Sequence, residues 1–170
     1  MSAGSNQAAL MVDRDPRRLA PAFAESVLRA LAECNSSQNA LGAMLYEGYR
    51  SAELQAMYYQ RGRTVIPPLA PVTNAPTNLQ SWHGYGLAVD IVHEKKYWSP
   101  PEGEKWFRRV AAIFKQHGCA WGGDWKSVDL PHFQWGLCTA SPSKAARDLI
   151  TSDGMQAVWS RLGAIDGKPA

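Results

Sequence analysis

Residues 81–90, with the sequence SWHGYGLAVD, constrain the fold of this chain more than any other stretch. They place His83 and Asp90 seven positions apart, with two glycines between them. The apolar run after the second glycine predicts a strand over 86–92, on which Asp90 faces the side opposite to the apolar residues. A histidine on a glycine-flanked loop beside a carboxylate on a strand is typical of one half of a metal site.

The other half of such a site is expected downstream, where Asp129 precedes His132 by three positions. Either spacing alone arises by chance in many proteins, but the two together give a ligand set of His83, Asp90 and His132. Two imidazoles and one carboxylate leave a fourth zinc position for water, and zinc lowers the pKa of that water toward ~7. Asp129 is then the expected general base, and His93 is an alternative ligand.

The hydrophobic periodicity predicts helices and short strands in alternation. In chain order we predict a helix from Asp15, a strand over 41–46, a helix capped by Ser51, an irregular segment over 64–80, the strand over 86–92, a helix that ends near Gly118, strands over 119–121 and 131–135, and two short helices capped by Ser141-Pro142 and by Asp153.

The length of 170 residues predicts a single domain over 1–170. Residues 1–13 are small and polar and are expected to be disordered, and residues 137–170 are expected to form a docked helical extension. The net charge of +3 comes without a basic cluster, which argues against nucleic acid as a partner. The three cysteines lack CxxC spacing, which argues against a cysteine-based zinc site.

The amino terminus lacks the basic start and apolar run of a secretory signal. The sequence also lacks a run of ~20 apolar residues, so membrane insertion is not expected. We therefore expect a chain made in the cytoplasm, whose release to an outside substrate requires another protein.

Four segments together resemble one known family. Residues 81–90 resemble its SxHxxGxAxD signature, and residues 48–51 resemble its GYRS segment. The sequences WGGDW at 121–125 and DLPHFQ at 129–134 resemble the phage branch. The family is that of the zinc peptidases that cut peptidoglycan peptides, namely D-alanyl-D-alanine carboxypeptidases, dipeptidases and phage L-alanyl-D-glutamate endopeptidases.

The resemblance implies an α+β fold of the hedgehog/D-Ala-D-Ala peptidase type, with a small antiparallel sheet flanked by helices. It implies one zinc ion held by His83, Asp90 and His132, with Asp129 as the catalytic acid/base. The carboxypeptidase and dipeptidase branches have glutamate at the position of Asp129, so the aspartate favours the endopeptidase branch. Arg50 is implied to bind substrate and to stabilise the oxyanion.

Trp125 is predicted to contact substrate, and Ser81 and Gln134 are predicted either to contact substrate or to support the metal ligands. A cation near the zinc suits the free α-carboxylate beside an L-Ala–D-Glu bond, and either Arg50 or Lys126 can supply it. The remaining aromatic side chains around the motifs belong either to the groove or to the core, and these are Trp82, Tyr85 and Trp121.

The predicted function is that of a phage endolysin, a monomeric zinc endopeptidase that cuts the L-alanyl-D-glutamate bond of the peptidoglycan stem peptide. It is expected in the host cytoplasm when made and at the cell wall after release. A D-alanyl-D-alanine carboxypeptidase is the alternative enzyme. A zinc-stabilised wall-binding module without catalysis is the alternative from another class, and the carboxylate of Asp129 argues against it.

Overall fold

The computed structural model describes residues 9–65 and 71–168 of the chain. Within them, helices and short strands alternate and four 3-10 turns connect them. The α-helices are α1 (Pro21–Cys34), α2 (Ala52–Gln60), α3 (Glu104–Gln116), α4 (Lys144–Asp153) and α5 (Met155–Arg161), and the strands are β1 (Ala43–Glu47), β2 (Ala88–His93), β3 (Cys119–Trp121) and β4 (His132–Trp135).

The four strands form one antiparallel sheet in the order β1-β2-β4-β3. The sheet and its flanking helices confirm the predicted α+β class. Asp90 lies on the inner strand β2, where it is the register partner of His132 on β4 and of Glu47 on β1. The register therefore brings the two predicted halves of the metal site side by side.

A β-bulge interrupts the pairing of β1 with β2. Leu45 pairs with Ile91 and Glu47 pairs with Asp90, so Tyr46 is an extra residue on β1. A bulge bends its strand and redirects side chains, and bulges are frequent beside active sites.

The first helix begins later than predicted, at Pro21 instead of Asp15. Asp15 caps a separate 3-10 turn, Pro16–Arg18, and its side chain accepts from the Arg17 amide. The chain then straightens, and the Ala20 amide donates to the carbonyl of Gly86 at 2.9 Å. The apolar spacing continues through this break because Leu19, which follows the turn, is buried in the same core as the apolar residues of the helix.

Gly86 has a left-handed backbone conformation and is closely approached by another segment of the chain. Its φ is +64°, and a Cβ at this position would lie 2.6 Å from the carbonyl oxygen of Arg18. Gly86 ends the 3-10 turn Trp82–Tyr85 that carries His83. The glycine thus fixes the loop that precedes β2.

Several predicted boundaries are wrong by a few residues. β2 runs over Ala88–His93 instead of 86–92. β1 runs over Ala43–Glu47 instead of 41–46. α4 is capped by Ser143, whose side chain accepts from the Ala146 amide, and not by Ser141-Pro142. Asp153 does not cap α5, because it is the last residue of α4 and the junction is made by Gly154 at φ 84°.

The carboxy-terminal helices pack against the sheet and the loop that bears His83. The Trp159 indole donates to the carbonyl of Tyr85 at 2.6 Å, and the Trp135 indole donates to the carbonyl of Leu162 at 2.7 Å. At the other end, the Asp13 carbonyl accepts from the Gly48 amide at 2.7 Å. Residues 1–8 of the segment predicted to be disordered, and 66–70 of the irregular segment, lie outside the described residues.

The described helices are each too short or too polar to cross a membrane.

Candidate metal centre

His83, Asp90 and His132 lie together, with ligand atoms within 4.8 Å of one another. His83 lies on the turn before β2, Asp90 in the middle of β2, and His132 at the start of β4. Asp90 Oδ1 is 3.5 Å from His83 Nε2 and 3.7 Å from His132 Nδ1. The ligand atoms of the three predicted residues therefore converge, and they do so at the floor of a cleft.

The backbone fixes the tautomer of His83. Its Nδ1 is 2.8 Å from the carbonyl oxygen of Gly48, which can only accept a hydrogen bond. The proton therefore lies on Nδ1, and the Nε2 lone pair points toward Asp90. A metal-binding histidine typically donates its other N–H in this way.

A second chain of hydrogen bonds fixes His132. The Gln134 side-chain amide donates to the carbonyl of Thr139 at 2.8 Å, which turns its Oε1 toward His132 Nε2 at 3.1 Å. His132 Nε2 then donates to that oxygen, and the Nδ1 lone pair points toward Asp90. Two imidazole nitrogens and one carboxylate oxygen thus converge as lone-pair donors, which fits a divalent cation such as zinc.

The charge state of the centre favours an ionised Asp90. Burial alone raises the pKa of this carboxyl, but the neighbouring His83 and His132, in their protonated forms when no metal is bound, outweigh burial and hold the pKa well below its usual range. Burial lowers the pKa of His132, yet the hydrogen bond and charge of Asp90 raise it overall. The site therefore carries a negative oxygen for a cation to bind.

Asp129 lies in the wall of the same cleft, on the loop before β4. Within the described residues its carboxylate accepts no hydrogen bond. The surrounding protein removes part of its hydration and, together with the negative charge of Asp90, raises its pKa. A carboxyl with a raised pKa beside a metal centre is suited to move protons.

The glycines of the sequence WGGDW allow the Asp129 loop to pack closely. The Asp129 amide donates to the Gly122 carbonyl at 3.0 Å, and a Cβ on Gly122 would lie 2.6 Å from the Asp129 carbonyl oxygen. A Cβ on Gly123 would lie 2.2 Å from the indole of Trp121. The motif thus holds the proposed acid/base residue in place.

Arg50 is buried, with 7% of its surface exposed, and it lines the cleft. Its Nε and Nη2 donate to both carboxylate oxygens of Glu47, at 3.0 and 2.6 Å, and its Nη1 donates to Gln55 Oε1 at 2.9 Å. Nη2 is also 3.6 Å from Asp90 Oδ2. Guanidinium has five N–H donors, so two remain without a hydrogen-bond acceptor among the described residues.

Glu47 and Gln55 are functional-site residues that our sequence prediction missed. Gln55 links Arg50 to the segment of the cleft wall after residue 70, because its amide nitrogen donates to the Ala75 carbonyl at 2.6 Å. Glu47 directly precedes the GYRS segment and lies just beyond the strand predicted over 41–46. The spacing of Ser51 and Gln55 is that of neighbours on one helix, but nothing in the local sequence shows that Gln55 is buried.

The other predicted site residues have different surroundings. Ser81 and Trp125 line the cleft, and the Trp125 ring lies 4.9 Å from the His132 ring. Gln134 is buried against His132 and is absent from the cleft lining, which favours the second of its two predicted roles, the support of a metal ligand. Lys126 is exposed outside the lining of the cleft.

His93 and three aromatic residues prove structural. The Nδ1 of His93 accepts hydrogen bonds from the Lys95 and Lys96 amides. The residue considered as an alternative ligand therefore stabilises a turn. Trp82, Tyr85 and Trp121 are buried and donate to backbone carbonyls. Tyr85 and Trp121 belong to the core alone, whereas Trp82 also lines the cleft.

Comparisons with known proteins agree with this centre. Residues 74–135 match a protein family described as D-alanyl-D-alanine carboxypeptidase. The chain is 33% identical over 109 residues to the peptidoglycan L-alanyl-D-glutamate endopeptidase CwlK of Bacillus subtilis, covering 58% of this chain and 64% of that protein. The chain is therefore similar to this peptidase family over its central segment.

Two further proteins extend this comparison. It is 29% identical over 147 residues to an L-alanyl-D-glutamate peptidase of a Listeria phage, covering 77% of this chain and 48% of that protein. The chain thus spans about half to two thirds of the length of these curated relatives. The fold is similar to that of Serratia marcescens L-Ala D-Glu endopeptidase ChiX, with a TM-score of 0.50, 23% identity, and coverage of 74% of this chain and 88% of that chain.

The segment that matches the family contains the candidate metal centre and Asp129, but not Arg50 or Glu47. The charged network behind the centre therefore lies outside the region on which the family match depends.

Proposed function

We propose that this protein is a zinc-dependent endopeptidase that cleaves the L-alanyl-D-glutamate bond of the peptidoglycan stem peptide. The observation that carries the proposal is the convergence of three lone-pair donors at the floor of a cleft, with the carboxylate of Asp129 in its wall. The relatives named as L-alanyl-D-glutamate peptidases support the choice of bond.

His83, Asp90 and His132 would hold one zinc ion. When bound, zinc polarises a carbonyl group and makes a water molecule acidic enough to attack near neutral pH. Asp129 takes the proton from the attacking water and passes it to the leaving amine, for which its raised pKa is suited. Gly48 and Gln134 keep both imidazole lone pairs directed at the centre throughout.

Arg50 and the cleft walls would orient the peptide. The bond between L-alanine and D-glutamate is followed by a free α-carboxylate, because the D-glutamate is linked onward through its side chain. The two remaining N–H donors of Arg50 can bind this carboxylate or the developing oxyanion. Ser81 and Trp125 lie in the cleft wall, where a bound stem peptide contacts them.

The biological role that we propose is that of a phage endolysin that acts on the cell wall as a monomer, after synthesis in the host cytoplasm and release. The relative from a Listeria phage supports this role. The cleft contains carboxylates and aromatic rings, which suit a peptide and not a polyanion, so nucleic acid is not a proposed partner.

Mass spectrometry of digested peptidoglycan tests the proposed bond. Purified sacculi treated with the protein and zinc are expected to release peptides that begin with D-glutamate, leaving L-alanine on the muramyl sugar. Release of terminal D-alanine with L-Ala–D-Glu bonds intact would instead establish the carboxypeptidase alternative, which the description of the matched family favours.

Binding to sacculi without any new peptide terminus would establish the third reading, a wall-binding module. The position of Asp129 in the cleft argues against this reading, because a structural metal site needs no unligated carboxylate beside it.

A further inference from the structure

Three aromatic side chains form a surface at the rim of the cleft, which we call the aromatic platform: Tyr46, Tyr97 and Trp98. The Tyr46 ring contacts Trp98 at 4.7 Å and Tyr97 at 6.3 Å between centroids, both edge-on. Tyr97 is 45% exposed and Trp98 is 49% exposed. Tyr46 and Trp98 also line the cleft that contains the metal centre. The platform is therefore continuous with the proposed active site.

Two irregular backbone features build this platform. The β-bulge in β1 makes Tyr46 the extra residue, immediately before Glu47, which pairs with Asp90. Tyr97 has φ +48°, a left-handed conformation that a bulky residue rarely adopts. Strained backbone persists only where the surrounding structure enforces it, and it is concentrated at functional sites.

The supporting contacts hold the platform rigid. His93 and Tyr97 exchange both backbone hydrogen bonds, at 3.1 and 2.8 Å, so the turn before Trp98 is closed. Arg14 covers Tyr46, with its guanidinium 4.8 Å from the ring centre and its Nε donating to the Tyr46 carbonyl at 3.0 Å. The exposed rings are thus preorganised, which reduces the entropy lost when a ligand binds.

We propose that the aromatic platform binds the muramyl sugar ring to which the stem peptide is attached. This inference rests on the proposed function. In peptidoglycan the L-alanine nitrogen is joined to the lactyl group of the sugar, so one residue and a short linker separate the ring from the scissile bond. At ~3.5 Å per extended residue, the ring lies roughly 7–10 Å from the cut.

The chemistry of the platform suits a sugar. A pyranose ring has one face of C–H groups, and an aromatic ring has a negative face that attracts them. The hydroxyl groups of Tyr46 and Tyr97 and the indole N–H of Trp98 provide polar partners at the ring edges. About half of the Trp98 surface is open to solvent, so its ring is accessible to a sugar.

Two matched substrates test the platform. One is an N-acetylmuramyl peptide, and the other is the same peptide with a simple N-acetyl group in place of the sugar. The wild type is expected to have a kcat/KM roughly three- to ten-fold higher for the muramyl substrate, which is the scale of one aromatic stacking contact. Trp98→Ala is expected to reduce this ratio nearly to one, and Trp98→Phe to restore most of it.

Leu28→Ala is the matched control, because Leu28 is 50% exposed on α1 and does not line the cleft. It is expected to keep the wild-type ratio. Equal kcat/KM of the wild type for both substrates would overturn the platform alone. An equal loss on both substrates in Trp98→Ala would assign the ring to the peptide and would also overturn it. Failure of the wild type to cut the L-Ala–D-Glu bond of either substrate would instead reject the proposed function.

Discussion

Asp129→Asn is expected to lower kcat on peptidoglycan by about 10²–10⁴-fold, the usual contribution of a general acid/base. Asparagine keeps the shape of the side chain but cannot take up a proton and return it. The three proposed metal ligands are unchanged, so the variant is expected to bind one equivalent of zinc like the wild type. Steady-state turnover and metal content are the two measurements.

The stability of the metal-free variant provides an independent check. The pKa of Asp129 is raised in the folded chain, so its ionised form destabilises the fold at any pH above its unfolded pKa. Asparagine removes that charge, and metal-free Asp129→Asn is therefore expected to melt no lower than the metal-free wild type at pH 7. Loss of activity together with a lower melting temperature would indicate a structural role for Asp129.

Asp124→Asn is the matched control for the Asp129 substitution. Asp124 lies on the same loop and pairs with Lys115 at 2.5 Å, but it is outside the cleft. Its substitution is expected to leave kcat within about two-fold, because exposed ion pairs contribute little. A wild-type kcat in Asp129→Asn would exclude Asp129 as the acid/base.

Glu47→Gln is expected to lower the free energy of unfolding by about 3 kcal/mol, since it leaves a buried arginine without its main counter-charge. Glu47 is 2% exposed, and both of its carboxylate oxygens accept from Arg50. In the wild type, desolvation opposes a charged Arg50, while Glu47 and Asp90 raise its pKa. Arginine is not deprotonated in proteins, so the cation persists in the variant. Urea denaturation of the metal-free proteins measures the change.

The expected effect on activity follows from the same contacts. Without Glu47, Arg50 is held by Gln55 and is drawn toward Asp90, so we expect a higher KM as well as lower stability. Glu104→Gln is the control, because the pair that Glu104 forms with Arg108 is exposed and is expected to contribute less than about 1 kcal/mol. Equal stability of the two variants would contradict the account of a buried charged network.

The proposed ligands could be predicted from the sequence because each half of the centre is local. A glycine-flanked turn and one strand position Asp90 near His83, and a short strand presents His132. Antiparallel pairing of β2 with β4 then makes Asp90 and His132 register partners. The support of His132 by Gln134 could also be predicted, since residues two apart on a strand face the same side.

The network around Arg50 could not be predicted in the same way. Its contacts depend on a bulge in β1, and nothing in the local sequence shows that Tyr46 is an extra residue. The predicted strand ends at residue 46, so it does not include Glu47. The start of α1 was wrong for a related reason: the apolar spacing from Leu19 onward reflects burial in one core, not a continuous helix.

Zinc reconstitution tests the central claim most directly. The protein is stripped of metal with a chelator, zinc is added in steps, and cleavage of the L-Ala–D-Glu bond is followed by mass spectrometry. We expect no cleavage by the stripped protein and a linear recovery that stops at one equivalent of zinc, with no recovery in His83→Ala. Full activity without metal, or one equivalent of tightly bound zinc without any cleavage of this bond, would contradict the account.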